Sequence, residues 1–369
     1  MGQPVTRIAI VGAGAGGCAA AVHLGQLGFE TRLYSASEEA LAPLRAIGGI
    51  RYEGVLGEGF TPIARITRDP AEALDGAEVV MLVSPAHRHE TWVAAIAPHL
   101  RPEQVLFVSP GHTLLLIPAV LRRHGIRAPV FCETATLPYM CRKPDPTTVR
   151  ILRVSKFMIF SAFPGKETPR LYETVRTLYP VIRPYASLLD TLFPYGNAIH
   201  HPPSTLANAG RIEATGGEFH FYYDGITPSV GRLIDAVDRE RRAVAAALGA
   251  TAMPFVELFY SMGFTTEAAY RTGLAYEAFH QSEPDRWIKA PTTLDHRYLL
   301  EDVPYGIVTY SELGRLADVP TPAIDAIIHL ASTAMRRDFR ATGLTLERLG
   351  LGRVRREDVA ALLQTGYPD

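Results

Sequence analysis

A glycine-rich turn near the start of the chain restricts its fold more than any other feature. Gly12, Gly14 and Gly17 follow the β-branched run Arg7–Val11 and precede an alanine-rich segment, and a second apolar run ends at Tyr34. This order is typical of a strand, a tight turn, a helix and a second strand. Glycines at this spacing let a diphosphate approach the backbone at the N-terminus of the helix. We therefore predict a dinucleotide site formed by the three glycines.

Later segments extend the predicted sheet. The runs Glu78–Val83 and Gln104–Val108 are continuously apolar, as expected for parallel strands covered by helices on both faces, and Pro129–Cys132 is read as a further strand. Polar loops follow them, at the sheet edge where ligands bind in such folds. The predicted fold class is α/β, with an N-terminal Rossmann doubly wound parallel sheet over residues 1–190 and a mostly α-helical C-terminal domain over residues 191–369.

Two threonine–proline pairs predict helix starts in the second domain, because threonine caps a helix and proline suits its first turn. Apolar residues follow each pair at helical spacing. After Thr227-Pro228 they are Val230, Leu233, Val237, Val244 and Leu248, and after Thr321-Pro322 they are Ile324, Ile327, Ile328 and Met335.

The residues after the second strand bear on the choice of cofactor. An aspartate there would bond the ribose 2′-hydroxyl and repel a 2′-phosphate, but this chain has Ser35 and Ser37. Arg32 and Arg45 are candidate partners of a phosphate, whereas the nearby Glu38 opposes one. The cofactor is NADP or NAD, and the serines favour NADP.

Bulk properties exclude several classes of protein. The 369 residues have a formal net charge of -1, without the basic excess typical of nucleic-acid binding. The three cysteines lack metal-ligand or disulfide spacing, so we expect no metal and a reducing cytoplasm. No apolar run approaches the roughly 20 residues that span a bilayer, so we expect no membrane partner.

A second polar cluster suggests proton transfer. His201 precedes a proline, which predicts an extended backbone, and Asn197 and Asn208 flank it as candidate ligands of substrate or backbone. A carboxylate beside the imidazole would fix its tautomer and raise its pKa. Glu301 and Asp302 are both candidates for that carboxylate, and the adjacent His200 competes with His201. Arg297 suits a substrate carboxylate or a structural ion pair.

These residues give the chain a resemblance to the opine dehydrogenases, the octopine/nopaline dehydrogenase family, over nearly its whole length. The stretches that carry it are 197–202, 222–231, 297–303, 311–314 and 319–322. The resemblance implies that His201 pairs with Asp302, and that Arg297 binds a keto-acid carboxylate. It also places the stretch Glu133–Arg142, including Tyr139, near the substrate.

The resemblance further implies a reaction, the NAD(P)H-dependent condensation of an α-keto acid with the amine of an amino acid. The partners would be these small molecules, with a homodimer as one assembly known among relatives. Two alternatives stay open, a dehydrogenase of a simple 2-keto or 3-hydroxy acid and a non-catalytic NAD(P) sensor.

Three further groups of residues are candidates for contact with substrate or nicotinamide. The loops 87–89 and 111–113 are read mainly as solvated, with ligand contact as the alternative. Tyr260, Tyr270 and Trp287 mark the region to search for the pocket of the amine substrate, although most such aromatic residues are core.

Overall fold

The computed structural model describes residues 5–367. The chain divides into two compact units. Unit 1 runs to Thr191 and includes the residues from Ala361 onward, and unit 2 is Leu192–Ala360. No helix among the described residues is both long and apolar enough to cross a membrane.

Unit 1 contains all of the strands in the described residues. They are β1 Arg7–Val11, β2 Glu30–Tyr34, β3 Gly49–Gly54, β4 Gly59–Pro62, β5 Arg65–Thr67, β6 Val79–Leu82, β7 Val105–Val108, β8 Phe131–Thr134, β9 Tyr139–Asp145, β10 Thr148–Val154, β11 Met158–Phe163 and β12 Ile182–Pro184. Its helices are α1 Ala15–Gln26, α2 Glu38–Ile47, α3 Pro70–Leu74, α4 His89–Ile96, α5 Leu116–Arg123, α6 Thr168–Val175 and α7 Leu188–Leu192, with short 3-10 turns at Ala86–Arg88, Ala97–His99 and Gly165–Glu167.

Eight strands form the main sheet, in the order β12-β11-β8-β7-β6-β1-β2-β5. The pairs from β5 through β8 are parallel, and β11 is antiparallel to β8. Strands β6 and β7 are buried along their full length. This confirms the predicted Rossmann-type sheet, because continuous apolar strands were expected to be covered on both faces.

A second sheet of four strands, β4-β3-β10-β9, was not predicted. Its strands mix buried and exposed positions, so they lack the continuous apolar run that identified β6 and β7. The predicted strand Pro129–Cys132 was also placed too early, since β8 extends through Glu133 and Thr134. Glu133 is therefore a fully buried strand residue rather than part of a polar loop.

Unit 2 is helical, as predicted, and in the described residues its β-type pairing is one isolated bridge between His220 and Lys289. Its helices are α8 Gly196–Ala207, α9 Ala209–Thr215, α10 Pro228–Ala247, α11 Phe255–Ser261, α12 Glu267–Thr272, α13 Ala275–His280, α14 Arg297–Leu300, α15 Val308–Ala317, α16 Pro322–Met335 and α17 Phe339–Thr342, followed by α18 Arg356–Thr365, which continues into unit 1; a π-helical turn spans Val303–Ile307.

The two threonine–proline pairs do begin helices. The Thr227 hydroxyl accepts the Val230 amide at the start of α10, and Pro322 begins α16. Met335 in α16 is only half-buried, and one predicted core position in α10 was wrong, because Leu233 is 45% exposed. It lies off the buried stripe formed by the other four residues named for α10, since the helical repeat does not return it to that face.

Candidate active site

The glycine turn of unit 1 is shaped by close backbone contacts. Gly12 has φ +118, and a Cβ there would overlap the carbonyl oxygen of Val83. A Cβ on Gly17 would overlap the carbonyl oxygen of Gly12, so these two glycines let α1 pack directly onto the strands. Gly14 differs because a Cβ there would meet only open space. That open space, next to the first amides of α1, fits the diphosphate of a dinucleotide.

The loop after β2 presents hydroxyl groups where a ribose-binding aspartate would stand. The buried Ser35 donates its amide to Thr67 O at 3.3 Å, and its hydroxyl oxygen accepts the Ser37 amide at 3.2 Å. The Ser37 hydroxyl oxygen accepts the Ala40 amide at 3.2 Å and so caps α2. Residues 35–37 supply no carboxylate, so nothing in them repels a 2′-phosphate.

The arginines expected to meet such a phosphate are already engaged. Arg32 pairs with Glu30 at 3.0 Å, and Arg45 pairs with Glu38 at 2.7 Å. Sequence reasoning missed Arg68, which is exposed and donates from Nε to the Ala36 carbonyl at 3.2 Å. Within residues 5–367 no carboxylate lies within 4 Å of it. Only the sheet order, which sets β5 beside β2, brings Arg68 to this loop.

The structure brings His201 and Asp302 together inside unit 2. His201 Nδ1 lies 2.7 Å from Asp302 Oδ2, and both side chains are buried. The other carboxylate oxygen accepts a short hydrogen bond from the Tyr195 hydroxyl. Asp302 directly precedes the π-helical turn Val303–Ile307.

The backbone of His201 is helical, which corrects the extended conformation predicted from Pro202. His201 lies within α8, which contains both Pro202 and Pro203. Residues 198–205 are all buried, so tertiary packing outweighs the local preference of a residue before proline. The helix turns the His201 side chain toward Asp302, 101 residues away in sequence.

Two tyrosines that sequence reasoning did not single out complete this cluster. The Tyr222 hydroxyl lies 2.8 Å from His201 Nε2 and 3.3 Å from the Tyr298 hydroxyl. The Tyr298 ring stacks on the imidazole, with the centroids 3.6 Å apart. Tyr298 is only half-buried, so the hydrogen-bonded chain from Asp302 ends on a side chain that reaches solvent. Both tyrosines belong to stretches that carried the family resemblance, 222–231 and 297–303, and that was the available signal.

Burial controls the protonation of the pair. It lowers the pKa of His201 well below its usual range and raises the pKa of Asp302 to about 7. The nearby Arg297 charge lowers the pKa of both groups. The imidazole is therefore neutral near pH 7, with Nδ1–H donated to Asp302 and Nε2 free to exchange a proton through Tyr222.

Arg297 and Glu301 form an ion pair beside this cluster. Glu301 is therefore the partner of Arg297 and not of the imidazole. Arg297 Nε and Nη2 lie 3.0 and 2.9 Å from the same Glu301 oxygen. The Glu301 side chain is buried, whereas the Arg297 side chain is 52% exposed. Arg297 is thus fixed by a buried carboxylate yet open to a ligand.

The other predicted substrate residues are placed differently. Asn197 is half-buried in the first turn of α8. The side-chain amide of Asn208 donates to the carbonyls of Ser204 and Gly225, both at 2.9 Å. Bonding to backbone is one of the two roles predicted for this residue. Tyr139, in unit 1, is buried, and its hydroxyl lies 2.8 Å from that of Tyr179 and 3.0 Å from His23 Nδ1.

A further set of polar side chains is buried in unit 1. Glu133 accepts the Thr191 hydroxyl at 2.5 Å and the His112 amide at 3.3 Å, and burial raises its pKa to about 7. His89 and His112 are also buried, so the interpretation of their loops as solvated was wrong for these residues. His89 bonds Thr113 Oγ1 and the Ser84 carbonyl, both at 3.1 Å. Across residues 5–367, no group of three or more His, Cys, Asp and Glu side chains could hold a metal ion.

Comparisons with known proteins identify the family of the chain. The family model of the NAD/NADP octopine/nopaline dehydrogenase alpha-helical domain matches residues 184–335, and that of the NAD-dependent glycerol-3-phosphate dehydrogenase N-terminus matches residues 7–110. An opine dehydrogenase of Arthrobacter sp. (strain 1C) is 34% identical over 93% of this chain and 94% of its own. A vitopine synthase of Allorhizobium ampelinum is 27% identical over 84% of each.

A solved structure of octopine dehydrogenase in complex with NADH and agmatine has the same fold, with a TM-score of 0.80 at 20% identity over 99% of each chain. The family models, the relative and the solved structure all agree with a chain that has a glycine turn in its N-terminal part and helices in its C-terminal part. The chain therefore belongs to the octopine/nopaline (opine) dehydrogenase family, and it is an NAD(P)-dependent oxidoreductase that reductively condenses an α-keto acid with the amine of an amino acid.

Proposed function

We propose that His201 is the proton-transfer group of this condensation, with Asp302 holding its tautomer. The observation that carries the proposal is the buried chain from Asp302 through His201 to Tyr222, with links of 2.7 and 2.8 Å. A neutral imidazole in such a chain can accept a proton at Nε2 and later return it, while Asp302 stabilises the charged intermediate state.

The proton balance of the reaction fits this role. An amino acid arrives as an ammonium ion, and His201 Nε2 accepts the proton that frees the amine to attack the keto carbon. His201 then returns that proton to the hydroxyl, which leaves as water and generates an iminium ion. NAD(P)H, when bound, would supply the hydride that reduces the iminium carbon and gives a secondary amine. Tyr222 and the half-buried Tyr298 connect Nε2 with solvent between turnovers.

Arg297 is proposed to bind the carboxylate of the keto acid. Its guanidinium is half exposed and is oriented by the buried Glu301. A planar guanidinium fork held in this way binds a carboxylate in a defined orientation. Asn197, at the start of the same helix as His201, is a further candidate for contact with substrate. The roles first predicted for Asn208 and Tyr139 stay predictions, and both side chains already use their polar groups on the protein.

Substitution of His201 tests the main proposal. His201→Gln is expected to lower kcat by ~10²–10⁴-fold, the usual contribution of general acid–base catalysis, while leaving NADPH affinity unchanged. Cofactor oxidation is followed with keto acid plus amino acid and with keto acid alone, and only the pair should react. His329→Gln, an exposed histidine on α16, is the matched control. A His201→Gln enzyme that retains more than a tenth of wild-type kcat contradicts the proposal.

We also propose that NADPH is preferred over NADH, because residues 35–37 after β2 carry hydroxyls and no carboxylate, and the Arg68 guanidinium reaches the Ala36 carbonyl of the same loop. Arg68→Gln should weaken the binding of NADPH by ~10-fold or more and have little effect on the binding of NADH, because a charge-assisted contact with the 2′-phosphate is lost. Arg65→Gln, an exposed arginine on the neighbouring strand, is the control. An equal loss of affinity for both cofactors in a fluorescence titration would overturn this proposal.

We also propose that the enzyme is a homodimer and that it is located in the cytoplasm. Cys18, Cys132 and Cys141 are all buried free thiols, which suits a reducing compartment. Sedimentation velocity of the purified enzyme tests the dimer, and fractionation of the host cell tests the location.

A further inference from the structure

A buried carboxylate of unit 2 is left without a cation. Asp285 is only 7% exposed, and its side chain receives one hydrogen bond, from the Ser282 hydroxyl at 2.7 Å. Among residues 5–367, no lysine, arginine or histidine nitrogen lies within 4 Å of it. Buried charges in proteins are normally paired or bound to a ligand, so this carboxylate stands out.

Asp285 belongs to the segment that packs against Tyr222. The Phe221 amide donates to the Ile288 carbonyl at 2.8 Å, and the isolated bridge joins His220 to Lys289. Burial raises the pKa of the hydroxyls of both Tyr222 and Tyr298, and the negative charge of Asp285 adds to the rise in both. Those two hydroxyls are the ones that link His201 Nε2 to solvent, so Asp285 acts on the same polar cluster.

Aromatic rings lie in the same segment as Asp285 and in the cluster that this segment packs against. Tyr222 stacks with Phe279, with centroids 5.2 Å apart. Trp287, two residues after Asp285, is 67% exposed, and its ring contacts the His220 ring at 5.2 Å and the Arg286 guanidinium at 5.3 Å. Aromatic faces attract ammonium and guanidinium groups, and a carboxylate that lacks a cation attracts them as well. By contrast, Tyr260 and Tyr270, the other aromatic residues considered for this pocket, stack on each other at 4.9 Å.

We propose that Asp285 binds the cationic group of the amine substrate, an ammonium or guanidinium ion, next to the proton-transfer cluster. The inference rests on the proposed role of His201, because it places the amine beside the group that must deprotonate it. The cation has two sources in an amino acid, the α-ammonium and a basic side chain. Binding of either would supply the partner that Asp285 lacks within the protein.

The test is the KM of two amines, L-alanine and L-arginine, with pyruvate and NADPH. Asp285→Asn should raise the amine KM at least tenfold while the KM of pyruvate and the affinity for NADPH change less than threefold. A rise for both amines assigns the α-ammonium, and a rise for L-arginine alone assigns the side chain. Glu283→Gln, an exposed acid of the same loop paired with Arg286 at 3.1 Å, is the matched control and should leave every constant unchanged.

Amine KM values within twofold of wild type in Asp285→Asn would overturn the inference, and so would an equal rise in Glu283→Gln. If Asp285→Asn lacks a native thermal transition, methylammonium and methylguanidinium ions are tested as inhibitors of the wild type. Competition of either ion against the amine supports the site, and competition by neither overturns it. Failure of the His201 proposal is recognised separately, because it appears as retained kcat in His201→Gln.

Discussion

The glycine turn of unit 1 and the histidine cluster of unit 2 are built in opposite ways. The turn is a backbone site within six residues, where Gly12 and Gly17 are required because a Cβ would strike a carbonyl oxygen. The cluster is a side-chain site whose members, His201, Tyr222 and Asp302, come from distant parts of the chain. A backbone site therefore tolerates few changes of residue type, whereas a side-chain site depends on the fold that assembles it.

The largest expected effect tests the backbone site. Gly17→Ala should abolish cofactor binding and destabilise unit 1, because its Cβ would overlap the Gly12 carbonyl and push α1 away from the strands. Overpacking of this kind costs about 1–3 kcal/mol, and more against rigid backbone. Thermal unfolding and an NADPH fluorescence titration measure the two effects.

Gly14→Ala is the matched comparison, since its Cβ meets open space. It should fold normally and still bind NADPH more weakly, because the methyl group occupies the approach of the diphosphate. Wild-type affinity in Gly14→Ala would show that the open space at this glycine is not the cofactor cradle.

The next prediction concerns Glu133, a buried side chain of unit 1, whose cofactor site is formed by backbone. Burial raises its pKa from 4.5 to about 7, so the folded protein holds the proton more tightly than the unfolded chain does. Its contribution to stability is complete below about pH 4.5 and is lost as the pH rises through about 7. The glutamine of Glu133→Gln cannot ionise, so this variant should keep that stability. Its loss of unfolding free energy between pH 5 and pH 8 should be smaller than that of wild type by up to about 3 kcal/mol.

Urea unfolding of wild type and Glu133→Gln at pH 5 and pH 8 measures the difference. Glu39→Gln, at an exposed glutamate in the first turn of α2, controls for the loss of one charge. A Glu133→Gln variant whose free energy of unfolding falls with pH as steeply as that of wild type would contradict the assignment.

A smaller effect is expected at Arg297. Arg297→Lys keeps the charge but loses the planar fork, so the keto-acid KM should rise ~10-fold, equal to about 1.4 kcal/mol, with kcat nearly unchanged. Arg315→Lys is a close control, because Arg315 is an exposed arginine paired with the buried Glu312. Steady-state kinetics with varied keto acid decide the matter, and similar KM values in the two variants would remove Arg297 from the substrate site.

The same contrast explains what the sequence could predict. The glycine turn, the buried strands β6 and β7 and the start of α10 follow from local patterns, and all three are confirmed. The pairing of His201 with Asp302 instead came from resemblance to a family, because no local pattern joins residues 101 positions apart. The structure places the two side chains together, while their catalytic roles stay predictions.

Other features depended on tertiary structure and were missed. Local preference before proline suggested an extended His201, but burial of α8 imposes a helix. Arg68 meets the loop after β2 only because β5 pairs with that strand. Tyr298 is recognised as a neighbour of His201 only from their stacked rings. In each instance a contact across the fold decides the role of the residue.

The most direct test of the side-chain site is the pH dependence of kcat/KM for the amine in wild type and Asp302→Asn. Burial raises the pKa of Asp302 to about 7, so wild-type activity should fall as the pH drops through that value and the carboxylate becomes protonated. Asp302→Asn should be slower by ~10²–10⁴-fold and should lack this acid limb. An Asp302→Asn enzyme within threefold of wild type, with the same acid limb near pH 7, would contradict the account.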